Sequence, residues 1–314
     1  MYVVRFQRVP HKQGFPVNAI LQKISNLTFG TELEYTYITR EHAAQAVQSV
    51  VGGRIEHTGG AYDTWTVITP DGRQWKAVSD SSLGDRATSA EVVSPILTLV
   101  DMDALQEIVR ALRKAGAKTP ECTSQHVHIG VDGWTPRQIA NLTRIYYKQE
   151  MLIMKAVGTL EKRIQRYTKL TDREFIERLE AIKPATNEEL NRAWFGRLNM
   201  HPDHYDSHRY RGLNLNNVWR TGTVEFRIFN GVSHAGVAKA NILFCLTLAA
   251  KALSAKCAST KQPRQYDEAS AKYDFRVLLI NIGMNGEEFK NTRMHLLKNL
   301  PGSAAWKNGR PAGR

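Results

Sequence analysis

Three short segments of the chain each place two ionisable side chains two residues apart in a strand-like context. These segments are Glu32-Leu33-Glu34, His126-Val127-His128 and Glu225-Phe226-Arg227. Residues i and i+2 of a β-strand point to the same face of a sheet, so each pair projects together while the middle residue points into an apolar layer. Carboxylates, imidazoles and an arginine on one face are costly unless a cation or an anionic ligand compensates their charge. The pattern therefore predicts a functional site on one face of a sheet.

The remaining chain mixes helices with β-hairpins. Strands are expected at residues 27–37, 62–69, 74–79, 124–131, 213–219 and 223–229, with turns at 70–72 and 220–222 that form two hairpins. Helices are expected at 40–51, from Asp101 or Asp103 to 112, and at 136–157, 172–182, 187–197, 235–256, 273–282 and 287–300. Because the strands come largely as hairpins and not in strict βαβ alternation, the pattern favours an α+β fold with an antiparallel sheet.

The composition is typical of a globular protein of a reducing compartment. Hydrophobic residues make up 42% of the chain and charged residues 23%, which is ordinary for a soluble protein. No apolar run follows Met1, and the longest apolar stretch, 242–250, is too short to span a bilayer, so neither a signal peptide nor a membrane partner is expected. The three cysteines, Cys122, Cys245 and Cys257, show no metal-type spacing. These features predict a cytoplasmic location.

The net charge of +13 belongs to the two ends of the chain. Residues 1–26 carry four basic and no acidic residues, and residues 251–314 carry twelve basic and five acidic residues. The middle of the chain is nearly balanced. A basic tail can bind nucleic acid or another polyanion, and it can equally serve as a solubilising surface. The sequence contains no zinc-finger, helix-turn-helix or RNP motif that would favour nucleic acid as the partner.

Six motifs in a fixed order resemble the amidoligase family, a group of ATP-dependent carboxylate–amine ligases related to glutamine synthetase and glutamate–cysteine ligase. The motifs are Phe29-Gly30-Thr31-Glu32-Leu33-Glu34, Trp75-Lys76 with Asp80-Ser81-Ser82-Leu83, Glu91-Val92-Val93-Ser94-Pro95, His126-Val127-His128-Ile129-Gly130, Arg211-Gly212-Leu213-Asn214-Leu215 and Thr223-Val224-Glu225-Phe226-Arg227. The resemblance spans roughly residues 28–306. It implies a curved antiparallel sheet of the glutamine synthetase-like catalytic type, packed with helices. On this basis we divide the chain into a basic segment (1–26), a catalytic domain (27–257) and a helical, basic extension (258–314).

The resemblance also implies a set of metal ligands. Glu32, His126 and Glu225 match the ligands of a metal that bridges the ATP phosphates, and Glu34 and Glu91 match ligands of a second metal. Asp80 lies where a third carboxylate ligand is expected, although it is a shorter acid with a different spacing to Glu91. Mg²⁺ prefers hard oxygen ligands, and one imidazole among carboxylates suits Mn²⁺ as well. ATP and Mg²⁺ (or Mn²⁺) are therefore the expected cofactors.

The resemblance assigns the remaining candidates to the anionic substrates. His128 matches a phosphate-contacting histidine, and Arg211 and Arg227 match arginines that hold the substrate carboxylate or the transferred phosphoryl group. Lys76 is a further candidate for nucleotide binding. The implied reaction forms an acyl phosphate from a carboxylate and ATP, which an amine then attacks. The expected partners are a small-molecule or peptide acid and an amine, and the resemblance identifies neither of them.

Each assignment has a structural alternative. Glu32 and Glu34 are also explained as solvated strand residues, Asp80 as a turn cap through Ser81-Ser82, and Glu225 with Arg227 as a structural ion pair. His201, His204 and His208 form a further cluster, which we interpret as a lid or surface feature. At the level of function, a metal-dependent hydrolase would use the same histidines and carboxylates to activate water. A nucleic-acid-binding protein would instead depend on the basic ends of the chain.

Overall fold

The structure is a computed structural model that describes residues 19–258 and 265–307. Most of the predicted basic N-terminal segment, up to residue 18, lies outside the described residues. The same holds for residues 308–314 of the predicted C-terminal extension. Contributions of these basic ends to polyanion binding therefore stay a prediction.

Eight strands form one antiparallel sheet in the order β2-β3-β4-β5-β1-β6-β8-β7. Neighbouring strands are antiparallel throughout this order, which confirms the α+β class with an antiparallel sheet. The strands are β1 (Phe29–Thr36), β2 (Arg54–Gly59), β3 (Thr64–Ile68), β4 (Gln74–Val78), β5 (Ser89–Val93), β6 (Ser124–Gly130), β7 (Leu213–Asn214) and β8 (Thr223–Asn230).

Ten α-helices accompany the sheet within the described ranges. They are α1 (Ala19–Ile24), α2 (Arg40–Val51), α3 (Met102–Lys114), α4 (Pro136–Val157), α5 (Glu161–Arg166), α6 (Arg173–Ile182), α7 (Asn187–Phe195), α8 (Ala235–Ser254), α9 (Ala271–Asn281) and α10 (Lys290–Leu297). Local sequence explains their ends well. Helix α4 begins at residue 136, as predicted, and its start is a capping box in which Thr135 and Gln138 satisfy each other's backbone N–H groups, with Pro136 at the first helical position.

One face of the sheet is apolar and covered by helices. Leu33, Val127 and Phe226, the middle residues of the three charged segments, are each no more than 1% exposed. The ring of Tyr146 on α4 meets that of Phe226 edge-on, with centroids 6.1 Å apart. Each fully buried side chain of this size stabilises the fold by roughly 1.5–3 kcal/mol. The alternation inferred from the sequence is confirmed, and the charged pairs lie on the opposite face.

Helix α8 is the central helix of the helical layer. It is long and apolar enough to cross a membrane by length and composition, but most of it is buried within the protein. It packs against α3, α4, α10 and strand β6, and the Asn241 side chain donates a hydrogen bond to the Gln125 side chain on β6 (2.9 Å). A helix that is apolar on all sides belongs in the interior of a protein. Helices α9 and α10 of the predicted extension pack on α4, and α10 also packs on α8.

The predicted strand 213–219 is wrong beyond its second residue. Only Leu213–Asn214 pairs with β8, and Asn216–Trp219 forms a 3₁₀ helix. The cause is the Asn214 side chain, whose Oδ1 accepts a hydrogen bond from the Asn216 backbone N–H (2.8 Å). Such a turn offers the backbone an alternative to the sheet ladder and ends the strand. Strands β2 and β5 and the short helices α1 and α5 are absent from the sequence prediction.

Glu150 on α4 is a buried carboxyl that depends on its neighbours. It is 5% exposed and accepts hydrogen bonds from the backbone N–H (3.0 Å) and hydroxyl (2.9 Å) of Thr171. Burial raises the pKa of Glu150 from 4.5 to about 7, although Thr171 and the charge of Arg211 act against this shift. A carboxyl whose pKa is raised by folding contributes stability below its unfolded pKa, and this contribution is lost as the pH rises through the folded pKa.

We therefore expect Glu150→Gln to raise the melting temperature at about pH 8, because the amide stays neutral and still accepts from Thr171. The difference between the Glu150 pKa of about 7 in the folded protein and its ordinary value of 4.5 corresponds to about 3 kcal/mol of unfolding free energy. Thermal unfolding of wild type and variant at about pH 5 and pH 8 measures the effect. Glu177→Gln, at an exposed position of α6, is the control. A Glu150→Gln protein that is less stable than wild type at the higher pH would contradict the prediction.

Candidate active site

The register of four central strands gathers the charged pairs into one place. Glu32 on β1 lies opposite His126 on β6, and Glu34 lies opposite Glu91 on β5. His128 lies opposite Glu225 on β8. Directly opposed residues in antiparallel strands have Cβ atoms only about 5 Å apart. Sequence segments nearly two hundred residues apart therefore meet on one face.

A β-bulge in β8 shapes one side of this face. The register of β6 and β8 shifts between Gln125 and Val127, so that Arg227 and Ile228 together lie opposite His126. Ile228 is fully buried in the core, and Arg227 is only 6% exposed on the charged face. Bulges bend a strand locally and re-aim its side chains, and they are frequent beside active sites.

Glu32, His128 and Glu225 form the first ligand group: each offers one atom, and these atoms lie within 4.8 Å of one another. His128 Nε2 is 3.2 Å from Glu32 Oε1 and 4.0 Å from Glu225 Oε1. Burial disfavours ionised Glu32, but the charge of His128 and hydrogen bonds with His126 and His128 hold the Glu32 pKa well below its usual range. Burial lowers the pKa of His128, and the charges of Glu32 and Glu225 outweigh it, so the net shift is upward.

His126 joins the same carboxylates from the neighbouring position. Its Nδ1 lies 2.8 Å from Glu32 Oε2 and 3.4 Å from Glu225 Oε1, and its Nε2 lies 3.0 Å from the Ser124 hydroxyl. The geometry thus places His128 in the three-residue group and His126 as a bridge between the two carboxylates. The family resemblance assigned these two histidines the other way round, and which imidazole binds a metal stays a prediction.

Glu225 is the most buried member of the first group, at 1% exposure. One of its oxygens, Oε1, pairs with Arg227 Nη1 at 2.5 Å, and the other, Oε2, accepts from the side-chain amides of Asn214 (2.7 Å) and Asn217 (2.9 Å). Burial raises the Glu225 pKa, but the charges of Arg227 and the two histidines lower it by more, so this carboxyl is ionised. Full hydrogen bonding of this kind is what makes a buried charge tolerable.

Glu34, Asp80 and Glu91 form the second ligand group, again with one atom each within 4.8 Å of the others. Glu34 accepts a hydrogen bond from the Ser124 backbone N–H (2.7 Å), and Asp80 Oδ1 accepts from the Ser82 backbone N–H (2.6 Å). Asp80 therefore is a turn cap and also a member of the carboxylate group. Burial, followed by repulsion from Glu32, Glu34 and Asp80, raises the pKa of Glu91 well above its usual value. Burial also raises the pKa of Glu34.

The two groups suit divalent cations in their chemistry. The first offers two carboxylates and an imidazole, and the second offers three carboxylates. Mg²⁺ and Mn²⁺ accept such oxygen-rich sets, completed by water or phosphate oxygens. Burial is the largest cause of the raised pKa of Glu91, and repulsion from the neighbouring carboxylates adds to it. Outside these two groups, the described part of the chain contains no further set of three such ligands.

Two other candidates, Lys76 and Arg211, belong to neither ligand group. Lys76 on β4 is exposed and lies opposite Val93 on β5. Val78, two residues further along β4, lies opposite Glu91. Arg211 forms an ion pair with Asp172 at the start of α6, and its charge acts on Glu150. The roles predicted for Lys76 and Arg211 stay predictions, and the structure gives the Arg211 guanidinium a different partner.

The histidine cluster lies on the loop between α7 and β7. His208 is anchored at the base of this loop by Asp206 (2.7 Å) and by the ring of Phe195, with centroids 5.1 Å apart. Burial lowers the pKa of His204, and the charges of Arg209 and Arg220 lower it further. The charges of Glu32 and Glu225 act in the opposite direction. His204 thus interacts electrostatically with two carboxylates of the first group. This placement agrees with a lid, and neither ligand group includes a histidine of this cluster.

Sequence reasoning missed several residues of the site. Asn214 and Asn217 hold Glu225, and Asn214 lies within a quoted motif although it was given no role. Arg163 on α5 is 5% exposed and donates through Nη2 to the Arg227 carbonyl oxygen (3.0 Å). Nothing in the local sequence of α5 indicates this contact, because it depends on the hydrogen bonds that join the segment before α5 to β8.

Comparison with known families decides the assignment. A family model described as "putative amidoligase enzyme" matches residues 25–249, well over half of the chain. The chain belongs to the amidoligase family. No curated protein matches it. The amidoligase match contains every candidate site residue, from Glu32 to Arg227, and ends within helix α8, before α9 and α10. The description is of an enzyme that forms amide bonds, which supports a ligase role.

Proposed function

We propose that this amidoligase is an ATP-dependent carboxylate–amine ligase that works through an acyl phosphate with two divalent metal ions. The observation that carries the proposal is the pair of adjacent ligand groups on one sheet face. Glu32 and Glu34 come from the same strand and connect the two groups. Two cation sites side by side, with the Arg227 guanidinium next to them, suit a substrate that carries several phosphates.

The chain's own residues hold the two metals in this proposal. Glu32, Glu225 and an imidazole of the His126–His128 pair would hold one, and Glu34, Asp80 and Glu91 would hold the other. When bound, the metals supply positive charge that neutralises the phosphates. Asn214 and Asn217 keep Glu225 ionised and oriented through Oε2. Burial and the neighbouring carboxylates raise the pKa of Glu91, so a cation at the second group competes with protons for this carboxyl.

The reaction proceeds by two displacements. A carboxylate oxygen of the acid attacks the γ-phosphorus of ATP, the bond to the bridging oxygen breaks, and ADP leaves. The amine nitrogen then attacks the acyl carbon, the carbon–oxygen bond to phosphate breaks, and the amine proton passes to solvent. Arg227 stabilises the charge of the transferred phosphoryl group, because a guanidinium presents paired donors to phosphate oxygens. The loop that carries His204 excludes water, which would otherwise hydrolyse the acyl phosphate.

We expect ADP to form only when ATP, Mg²⁺ or Mn²⁺, an acid and an amine are all present. ADP release is measured against pools of amino acids, polyamines and peptides, and the amide products are identified by mass. Omission of the amine should leave at most slow ATP hydrolysis, because the acyl phosphate then reacts only with water. Turnover of an ester or amide without ATP would contradict the proposal and support a metal-dependent hydrolase on the same residues.

The proposed partners are an acid and an amine of low molecular weight or on a peptide, with a cytoplasmic location. A nucleic-acid-binding function makes a different prediction, because it depends on the basic ends of the chain. It would show binding to nucleic acid that falls steeply with salt and that persists when Glu32 and Glu34 are replaced. ADP release that depends on an amine would exclude nucleic-acid binding as the main activity.

A further inference from the structure

Arg163 is a buried cation with few partners. Its side chain lies on α5 at 5% exposure, and its Nη2 donates a hydrogen bond to the Arg227 carbonyl oxygen. Its Nε has no hydrogen-bond partner, and no ion pair includes Arg163 in the ranges that the structure describes. A guanidinium carries five N–H donors and stays charged, so burying one in this state is costly unless an anion binds there.

Arg227 has an unsatisfied donor of the same kind. Its Nη1 pairs with Glu225, but its buried Nε also lacks a hydrogen-bond partner among the described residues. The two arginines are joined through the Arg163–Arg227 hydrogen bond. The charge of Glu34, a member of the second group, favours the charged form of Arg163. Arg227 forms an ion pair with Glu225 of the first group. Arg227 thus contacts a carboxylate of the first group directly, and Arg163, which is hydrogen-bonded to Arg227, interacts electrostatically with a carboxylate of the second.

The surrounding chain explains how Arg163 arrives there. The segment before α5 is tied along β8 at its bulge: the Thr159 hydroxyl donates to the Ile228 carbonyl oxygen (2.7 Å), and Asn230 donates to the Gly158 carbonyl oxygen (2.6 Å). Thr159 and Arg163 thus each satisfy one carbonyl of the bulge. Arg163 differs from Thr159 in carrying a charge and unused donors, which a purely structural contact does not need.

We propose that Arg163 and Arg227 together form the binding site for the transferred phosphoryl group. This inference rests on the proposed function and deepens it, because it assigns the second guanidinium to Arg163, while Arg211 pairs with Asp172. Two guanidinium groups with free Nε donors suit the oxygens of a phosphoryl group held between two cation sites. Arg163 contributes donors to this anion and also positions Arg227 through its carbonyl oxygen.

The test compares ATP and ADP binding with Mg²⁺ by isothermal titration calorimetry in wild type, Arg163→Gln and Thr159→Val. Arg163→Gln should weaken ATP binding at least about tenfold more than ADP binding, because only ATP carries the transferred group and a charged hydrogen bond is lost. Thr159→Val removes the neighbouring bulge contact without a charge. It should lower the melting temperature and leave the ratio of ATP to ADP affinity unchanged.

Three outcomes separate the hypotheses. An equal effect of Arg163→Gln on ATP and ADP binding overturns the inference alone, since it would show that Arg163 only holds the bulge. Absence of nucleotide binding by wild type overturns the proposed function and this inference with it. If Arg163→Gln does not fold, Arg163→Lys replaces it: this variant keeps a charge and a donor but lacks the paired geometry, and it should still lose selectivity for ATP over ADP. Unchanged selectivity in Arg163→Lys also overturns the inference.

Discussion

Replacement of Glu32 by Gln is expected to remove most Mg²⁺-dependent ATP binding from a chain that still folds. Glu32 belongs to the first ligand group and contacts both His126 and His128, yet its side chain is 27% exposed, so the fold does not depend on burying it. Loss of one charged partner from a buried set costs about 3 kcal/mol, or roughly a hundredfold in affinity. Isothermal titration of ATP with and without Mg²⁺ measures the loss.

Glu180→Gln provides the matched control for Glu32. Glu180 pairs with Arg144 at 2.6 Å on helices away from the site, and its side chain is 39% exposed. This variant should bind nucleotide as wild type does, and Glu225→Ala should fail as Glu32→Gln does. If a folded Glu32→Gln protein has unchanged ATP affinity, the first ligand group is not the site of a metal that contacts the ATP phosphates.

Replacement of Arg227 by Lys is expected to lower turnover by roughly a hundredfold or more, because loss of one preorganised transition-state donor costs about 3 kcal/mol. The substitution conserves charge, but an ammonium offers a point charge in place of two parallel donors. Arg227 is 6% exposed and pairs with Glu225 at 2.5 Å, so Lys can retain this ion pair. Turnover by ADP release and the melting temperature are measured together.

Arg144→Lys is the control for Arg227, since Arg144 is also a largely buried arginine paired with a glutamate, Glu180. Both variants should lose a similar amount of stability, and only Arg227→Lys should lose turnover. If Arg227→Lys retains near-normal ATP-dependent turnover while its melting temperature falls, Arg227 is a structural ion pair, and the hydrolase hypothesis regains weight.

Local patterns were enough to predict most elements of the fold. The capping box at Thr135 sets the start of α4, and the apolar 235–256 pattern gives α8, because both signals act within a few residues. Strands β2 and β5 were missed, since β2 is largely exposed and β5 follows two short turns. The 213–219 strand failed because one side chain, Asn214, competes with the sheet ladder.

For the site, as for the fold, local sequence patterns predicted some features and long-range packing decided the others. Alternation along β1, β6 and β8 determined from sequence alone that Glu32 and Glu34, the two histidines, and Glu225 with Arg227 share a charged face. The ordered motifs of this face also determined the family, which the match over residues 25–249 confirms.

Only the tertiary structure decided which of these charges meet. Strand register and side-chain packing, both non-local properties, group Glu32 with His128 and Glu225 and group Glu34 with Asp80 and Glu91. The bulge at Arg227 and the hydrogen bonds that join the segment before α5 to β8 bring in Arg163, whose own segment shows no periodic signal. Periodicity assigns a residue to a face because it depends on neighbours in sequence, whereas register and helix docking depend on long-range packing that a single sequence does not display.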